Sequence, residues 1–215
     1  MGPISLLREE LLNIGPQHDK FLDAQRNHTS NEKSRVIKSH ERYHESIRDH
    51  LPEECKSVLD IGCGLGITDL CLFEHYGRSD GIHFYLFDKT EFADRLYFGF
   101  KDNAAFYNDL EMTKNLLIDY GISPSKLTTI EADKNNLLGL KGIDLVISSI
   151  AWGFHFPVST YLEEVVNLMG ENSVLILDLR SNTGGFEDLS KRFHVETIEN
   201  SLKRTRVSCR KRVPE

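Results

Sequence analysis

The segment Val58-Leu59-Asp60-Ile61-Gly62-Cys63-Gly64-Leu65-Gly66 constrains this chain more than any other. A short apolar run delivers the backbone to a turn in which every second residue is glycine. Glycine is needed where the backbone takes left-handed angles or must approach a ligand with no Cβ in the way. A helical run from Ile67 to Tyr76 follows directly. Strand, glycine turn and helix in that order open an α/β sheet, whose ligand sits beyond the carboxyl ends of the strands at the switch point.

The rest of the chain alternates in the same way. His83 to Phe87, Lys126 to Glu131, Ile143 to Ile150 and Ser173 to Leu179 read as strands. Asn108 to Tyr120, closed by Gly121, and Val158 to Met169, closed by Gly170, read as helices. This spacing predicts a Rossmann-like α/β fold: a doubly wound, mostly parallel sheet covered on both faces. His194 to Ile198 and Thr205 to Val213 flank a turn near Ser201 and predict a C-terminal antiparallel hairpin, for about seven strands in all. Upstream, Val36, Tyr43, Ile47 and Leu51 recur at helical spacing, and Pro52 ends the run. Residues 1–52 are therefore expected to form an N-terminal helical extension or lid. Residues 53–215 form the main domain, with an aromatic-rich insertion at about 89–108 that holds Phe92, Tyr97, Phe98, Phe100, Phe106 and Tyr107.

Composition narrows the function. A chain of 215 residues that is 40% hydrophobic buries one core, with or without a small lid, but not two full domains. A net charge of -7 repels a phosphate backbone, so a general nucleic-acid binder is disfavoured. The longest apolar stretch, Ile143 to Phe156, is interrupted by Asp144, Ser148, Ser149, Gly153 and His155, and a spanning helix needs ~20 mostly apolar residues. The first residues lack the basic start of a secretory signal. The four cysteines, Cys55, Cys63, Cys71 and Cys209, form no C-x-x-C pair. A reduced, cytoplasmic protein with no membrane segment and no structural zinc is expected, as a monomer or homodimer.

Two cofactor readings compete at the glycine turn. A dinucleotide fingerprint, G-x-G-x-x-G, would need glycine where Ile67 stands. The spacing found is D-x-G-x-G-x-G, with Asp60 two residues before the first glycine. An acid there repels phosphate and attracts ammonium or sulfonium. Asp88 ends the second strand, and an acid about 20 residues past such a turn accepts hydrogen bonds from ribose hydroxyls.

From about Ser57 to Leu179 this pattern resembles the class I S-adenosylmethionine-dependent methyltransferases, with motif I at Asp60, Gly62, Gly64 and Gly66. The resemblance implies that S-adenosyl-L-methionine is the cofactor and that Asp88 holds its ribose. It places Ala132-Asp133, after the third strand, near the adenine, and Ser148, at the end of the fourth, beside the methionyl part. Without that context, Asp88 and Asp133 would read as turn or cap residues. The stretches Ala105-Phe106-Tyr107-Asn108 and Trp152-Gly153-Phe154-His155 resemble bacterial methyltransferases that act on sugars or other small molecules.

The acceptor side is expected just past the fourth strand, at Ala151-Trp152-Gly153-Phe154-His155-Phe156-Pro157. His155 is either the general base for an oxygen nucleophile or a loop histidine that packs against the next helix. Trp152, with Phe106 and Tyr107 of the insertion, would wall the pocket; the alternative for the insertion is a satellite core. The expected reaction is methyl transfer to a small-molecule acceptor, at oxygen rather than nitrogen.

Three rival readings stay open. His40-Glu41-Arg42-Tyr43-His44 matches the zinc-protease motif H-E-x-x-H, with His50 near the place of a third ligand. A continued helix, however, turns His50 about 240° away from His44. No metal is therefore expected, and His40 and Tyr43 are instead candidate substrate contacts on a helix bordering the cleft. Residues 203–212 hold six basic side chains, with Arg206, Arg210 and Arg212 predicted on one strand face. That strip is either a solvated edge protected by charge or the contact surface of an RNA or protein methyltransferase. A noncatalytic cofactor-binding module is the last alternative.

Overall fold

One sheet collects the alternating strands. The structure is a computed structural model that describes residues 33–92, 107–132, 137 and 139–212. In chain order its elements are α1 (Lys33–Ile47), β1 (Ser57–Ile61), α2 (Ile67–His75), β2 (His83–Asp88), β3 (Glu91–Phe92), β4 (Tyr107–Asn108), α3 (Leu110–Asp119), β5 (Leu127–Glu131), β6 (Ile143–Ser148), α4 (Leu162–Leu168), β7 (Met169–Arg180), α5 (Gly185–Ser190), β8 (Phe193–Asn200) and β9 (Arg204–Lys211).

The seven-stranded sheet runs β5-β2-β1-β6-β7-β9-β8. β5, β2, β1, β6 and β7 are parallel, and β9 lies antiparallel between β7 and β8. Chain order reverses at β1, which has β2 on one side and β6 on the other, so the glycine turn leaves the sheet at the switch point.

Alternate residues of the central strands go to two cores. Val58, Leu145, Ile147, Val174 and Ile176 pack beneath α1, α2 and α3. Leu59, Val146, Leu175 and Leu177 pack against α4 and α5. Burial on both faces explains why β6 reads as a continuous apolar run. Tyr43 and Ile47 of α1 lie inside the first core, so this helix is packed into the sheet.

Several boundaries move for local reasons. α3 starts at Leu110 because Asp109 caps it, accepting from the Glu111 and Met112 N–H groups at 3.0 and 3.1 Å. The helix expected from Val158 is a 3-10 turn over Val158–Thr160 and then the seven residues of α4, and β7 begins at Met169 rather than Ser173. α5 has six residues, too few to show a helical period. β3 and β4 form a two-stranded antiparallel ribbon at the base of the insertion. Residues 1–32 of the expected lid at 1–52, the insertion residues 93–106 including Phe106, the side chain of Tyr107, and Asp133 lie outside the described residues. Among the described residues, no helix is long and apolar enough to cross a membrane.

Candidate cofactor and acceptor site

The glycine turn is built by left-handed residues: φ is +80° at Gly62, +53° at Gly64 and +70° at Gly66. Gly62 N–H donates to the Phe87 carbonyl at 2.7 Å, which ties the turn to the end of β2. Gly66 N–H donates to the Cys63 carbonyl at 2.8 Å and closes it. A Cβ on Gly62 would stand 2.2 Å from the Ala151 Cβ, so glycine also lets the segment after β6 approach. From α3, the Thr113 hydroxyl donates to the Gly64 carbonyl at 2.6 Å.

Asp88 meets this turn directly. Its Oδ2 accepts from Gly64 N–H and from Asn108 Nδ2, each at 2.8 Å, and its Oδ1 accepts from Lys89 N–H at 2.7 Å. Its own carbonyl accepts from Ala132 N–H at 2.7 Å. Burial raises the carboxyl to about 6, although these hydrogen bonds pull the other way. A carboxylate has about four acceptor positions, so with three filled Asp88 can still accept from a hydroxyl. Gly62, Gly64, Gly66, Asp88 and Ala132 thus converge at the carboxyl ends of β1, β2 and β5. Asn108 and Thr113 join them unannounced by the sequence, because a long insertion separates both from the turn they support.

Asp60 lies behind the turn, 3% exposed, and faces Asp69 of α2, which is fully buried. Among the described residues, neither oxygen of Asp69 has a well-formed hydrogen bond. Burial raises both carboxyls, and the charges of Asp69 and then Asp88 add to the effect at Asp60. Asp69 is pushed up to about 7. The folded chain then holds a proton that the unfolded chain releases, so stability falls as pH rises from the ordinary carboxylate range toward 7. Asp69→Asn should therefore raise the melting temperature more at pH 8 than at pH 5. A gain of several degrees is expected, since about 1 kcal/mol corresponds to ~2–4 °C in a chain of this size. Equal shifts at the two pH values would show that the pair holds no such proton.

On the acceptor side, the side chains expected to face a ligand are largely engaged with the protein. Ser148 is fully buried; its hydroxyl donates to the Ile61 carbonyl at 2.7 Å and accepts from Trp152 N–H at 2.9 Å, locking β6 to β1. Trp152 is also fully buried, with its indole N–H on the Val158 carbonyl at 2.9 Å, so it is a core residue rather than a pocket wall. His155 is half-buried in the turn that follows; its N–H bonds the Ala151 carbonyl at 2.7 Å, and its ring stands edge-on to Phe154. Arg180, at the end of β7, stacks on Phe154 at 4.6 Å and donates its Nε to the Phe154 carbonyl at 2.8 Å. Ile150, between β6 and this turn, is exposed and held at φ +53°, a costly angle for a β-branched residue.

The residues singled out on α1 face the protein interior. His40 Nδ1 lies 3.2 Å from the Thr68 hydroxyl, and burial lowers the imidazole to about 4. His44 packs edge-on against His75, and burial, then His75 and Arg48, lower it to about 4 as well. Tyr43 is buried with the Arg206 guanidinium 4.1 Å over its ring. Among the described residues, no group of three or more His, Cys, Asp or Glu side chains is placed to hold a metal.

The basic strip is divided. Arg206 is 3% exposed, with Nε and Nη2 forming a fork on Asp178 at 2.8 and 3.2 Å and Nη1 on the Ser46 hydroxyl. Arg204 pairs with Glu199 at 2.8 Å. Arg212 lies beyond the end of β9. Alternation predicted a common face but not that α1 would cover part of it.

Comparison with known proteins agrees with this geometry. No family model and no curated protein matches the chain. Solved structures do. One is an S-adenosylmethionine-dependent O-methyltransferase from Thermotoga maritima, at 10% identity and TM-score 0.57, covering 91% of this chain and 72% of that one. Another is a TehB-like S-adenosylmethionine-dependent methyltransferase from Corynebacterium glutamicum, at 13% identity and TM-score 0.55, covering 92% of this chain and all of that one. A protein from Nostoc punctiforme assigned as an O-methyltransferase matches at 12% identity and TM-score 0.55 over 80% of this chain, which spans 56% of its length. Strand order, glycine turn and structural neighbours together show that this chain has the fold of the class I S-adenosylmethionine-dependent methyltransferases.

Proposed function

We propose that the chain binds S-adenosyl-L-methionine at the glycine turn and catalyses methyl transfer to a small-molecule oxygen nucleophile. The observation that carries this reading is the 2.8 Å bond between Gly64 N–H and the Asp88 carboxylate. It brings the turn and Asp88, the acid proposed to hold the ribose, to one point at the carboxyl end of β1. The surrounding charge agrees: the carboxyls of Asp60, Asp69 and Asp88 suit a cation and would repel a diphosphate.

The residues present fit such a cofactor. Asp88 keeps acceptor capacity for a ribose hydroxyl, and Ala132 lies beside it at the end of β5. When bound, the cofactor supplies a methyl carbon activated by its sulfonium. The chain's part is to orient the acceptor and exclude water, which can lower the barrier substantially. His155 is the proposed proton acceptor, because it is the imidazole in the turn that follows β6. Arg180 and Ile150, at the ends of neighbouring strands, are proposed to shape the acceptor pocket. The O-methyltransferase names of two similar structures support oxygen as the target. Burial of Arg206 weakens the rival reading of an exposed RNA-binding strip.

Calorimetry with S-adenosylmethionine and S-adenosylhomocysteine tests the proposal. Asp88→Ala should weaken binding about tenfold or more, since a hydrogen bond to a charged group contributes ~1.5–3 kcal/mol. The circular dichroism spectrum should stay that of the wild type. Unchanged affinity would remove Asp88 from the site, and no heat with either nucleoside would overturn the reading itself.

A further inference from the structure

Two buried carboxyls behind a loop built for a cation raise the question of what balances their charge before the ligand arrives. Asp60 leaves β1 toward the turn; Asp69 reaches it from the first turn of α2. They are 3% and 0% exposed, and the oxygens of Asp69, which have no well-formed hydrogen bond among the described residues, meet only the Asp60 carboxyl and their own backbone N–H as close polar groups. No cation figures among the groups acting on either one.

The neighbouring elements do not supply a counter-charge. From β2, Asp88 adds a third carboxyl. From the turn, Cys63 offers a thiol that burial, and then the charges of Asp88, Asp60 and Asp69, keep protonated. From α1, Tyr43 presents a buried phenol that burial keeps neutral, and His40, bonded to Thr68, is neutral as well. The arginines that act on Tyr43, Arg206 and Arg204, are committed to Asp178 and Glu199. Two adjacent carboxylates out of water cannot both stay ionised without a cation, so the pair must hold a proton.

We propose that Asp60 and Asp69 share one proton in the ligand-free chain and release it to solvent when a cationic nucleoside binds at the glycine turn, with Asp69 acting as a positioning residue through Asp60. This rests on the cofactor reading above. The balance is simple: the incoming positive charge replaces the proton, which passes to buffer, and no covalent bond other than O–H changes. Ligand affinity then becomes linked to pH, rising with pH up to a limit of about tenfold per unit for one released proton.

Titration calorimetry of the full chain with S-adenosylmethionine at pH 7, in phosphate and in Tris, counts the protons released. Wild type should release a large fraction of one, on the order of half or more. Its dissociation constant should fall severalfold between pH 6 and pH 7.5. Asp69→Asn, with Asp69→Ser as a second variant should the first not fold, should still bind but with most of that release lost at pH 7 and only the shallower pH dependence that Asp88 contributes near 6. Asp88→Asn, which leaves the pair intact, should keep the release even as its affinity drops. Equal heats in the two buffers for wild type, or undiminished release in the Asp69 variants, would overturn the proposal. Absence of any binding heat would instead overturn the cofactor reading, so the two failures are distinguishable.

Discussion

Gly62→Ala is expected to destabilise the fold by about 3 kcal/mol or more. Two independent costs add at this position. The first is conformational: φ is +80°, and a side chain in the left-handed region costs roughly 1–2 kcal/mol. The second is steric: the new Cβ would stand 2.2 Å from the Ala151 Cβ, and overpacking typically costs about 1–3 kcal/mol. Relief is hard to find locally. Gly62 N–H is bonded to the Phe87 carbonyl, and Ala151 is held by its own carbonyl bonds to the Phe154 and His155 N–H groups. Urea unfolding should show a clear drop in midpoint with little change in slope. Ala151→Gly in the same chain should recover the steric part and leave the conformational part. A Gly62→Ala midpoint equal to wild type would mean that β1 and the segment after β6 do not approach as described.

Arg206→Ala is expected to cost about 3–5 kcal/mol, the usual penalty for removing one partner of a buried ion pair. The guanidinium is 3% exposed, and Asp178 is fully buried. Truncation leaves that carboxylate without its fork. Arg204, 3.6 Å away, can recover only part of the interaction because it is already paired with Glu199. The loss also reaches α1, since the same guanidinium stacks on Tyr43 and bonds the Ser46 hydroxyl. Chemical unfolding of Arg206→Met and of Arg206→Met with Asp178→Leu separates the causes. The double variant should be far closer to wild type, because replacing a buried ion pair by apolar side chains is often neutral. A single variant as stable as wild type would show that Arg206 is not buried against Asp178.

The hairpin that carries Arg206 shows how far sequence reading reaches. Alternation located two strands around Ser201 and set Arg206, Arg210 and Arg212 on one face, although Arg212 lies past the end of β9. It could not say that Arg206 is covered while Arg210 stays exposed, because the cover comes from α1, 160 positions away at Ser46. Asp88 shows the opposite case. Its distance from the glycine turn was enough to single it out, and the structure places it on Gly64 N–H. Ser148 and Trp152 were expected beside the ligand, yet their polar atoms turn inward, because position along the chain does not reveal which neighbour a polar atom will meet.

The sequence by itself determined the sheet, the glycine turn and the acid that meets it. These follow from the period of apolar residues and from angles only glycine takes readily, both properties of near neighbours in the chain. Tertiary structure alone decided that Asp69 faces Asp60, that Asn108 and Thr113 brace the turn, and that Arg206 is buried under α1. Each of these is a meeting of polar groups from different elements. Its energy depends on burial and partner geometry, which are set only when helices and strands pack.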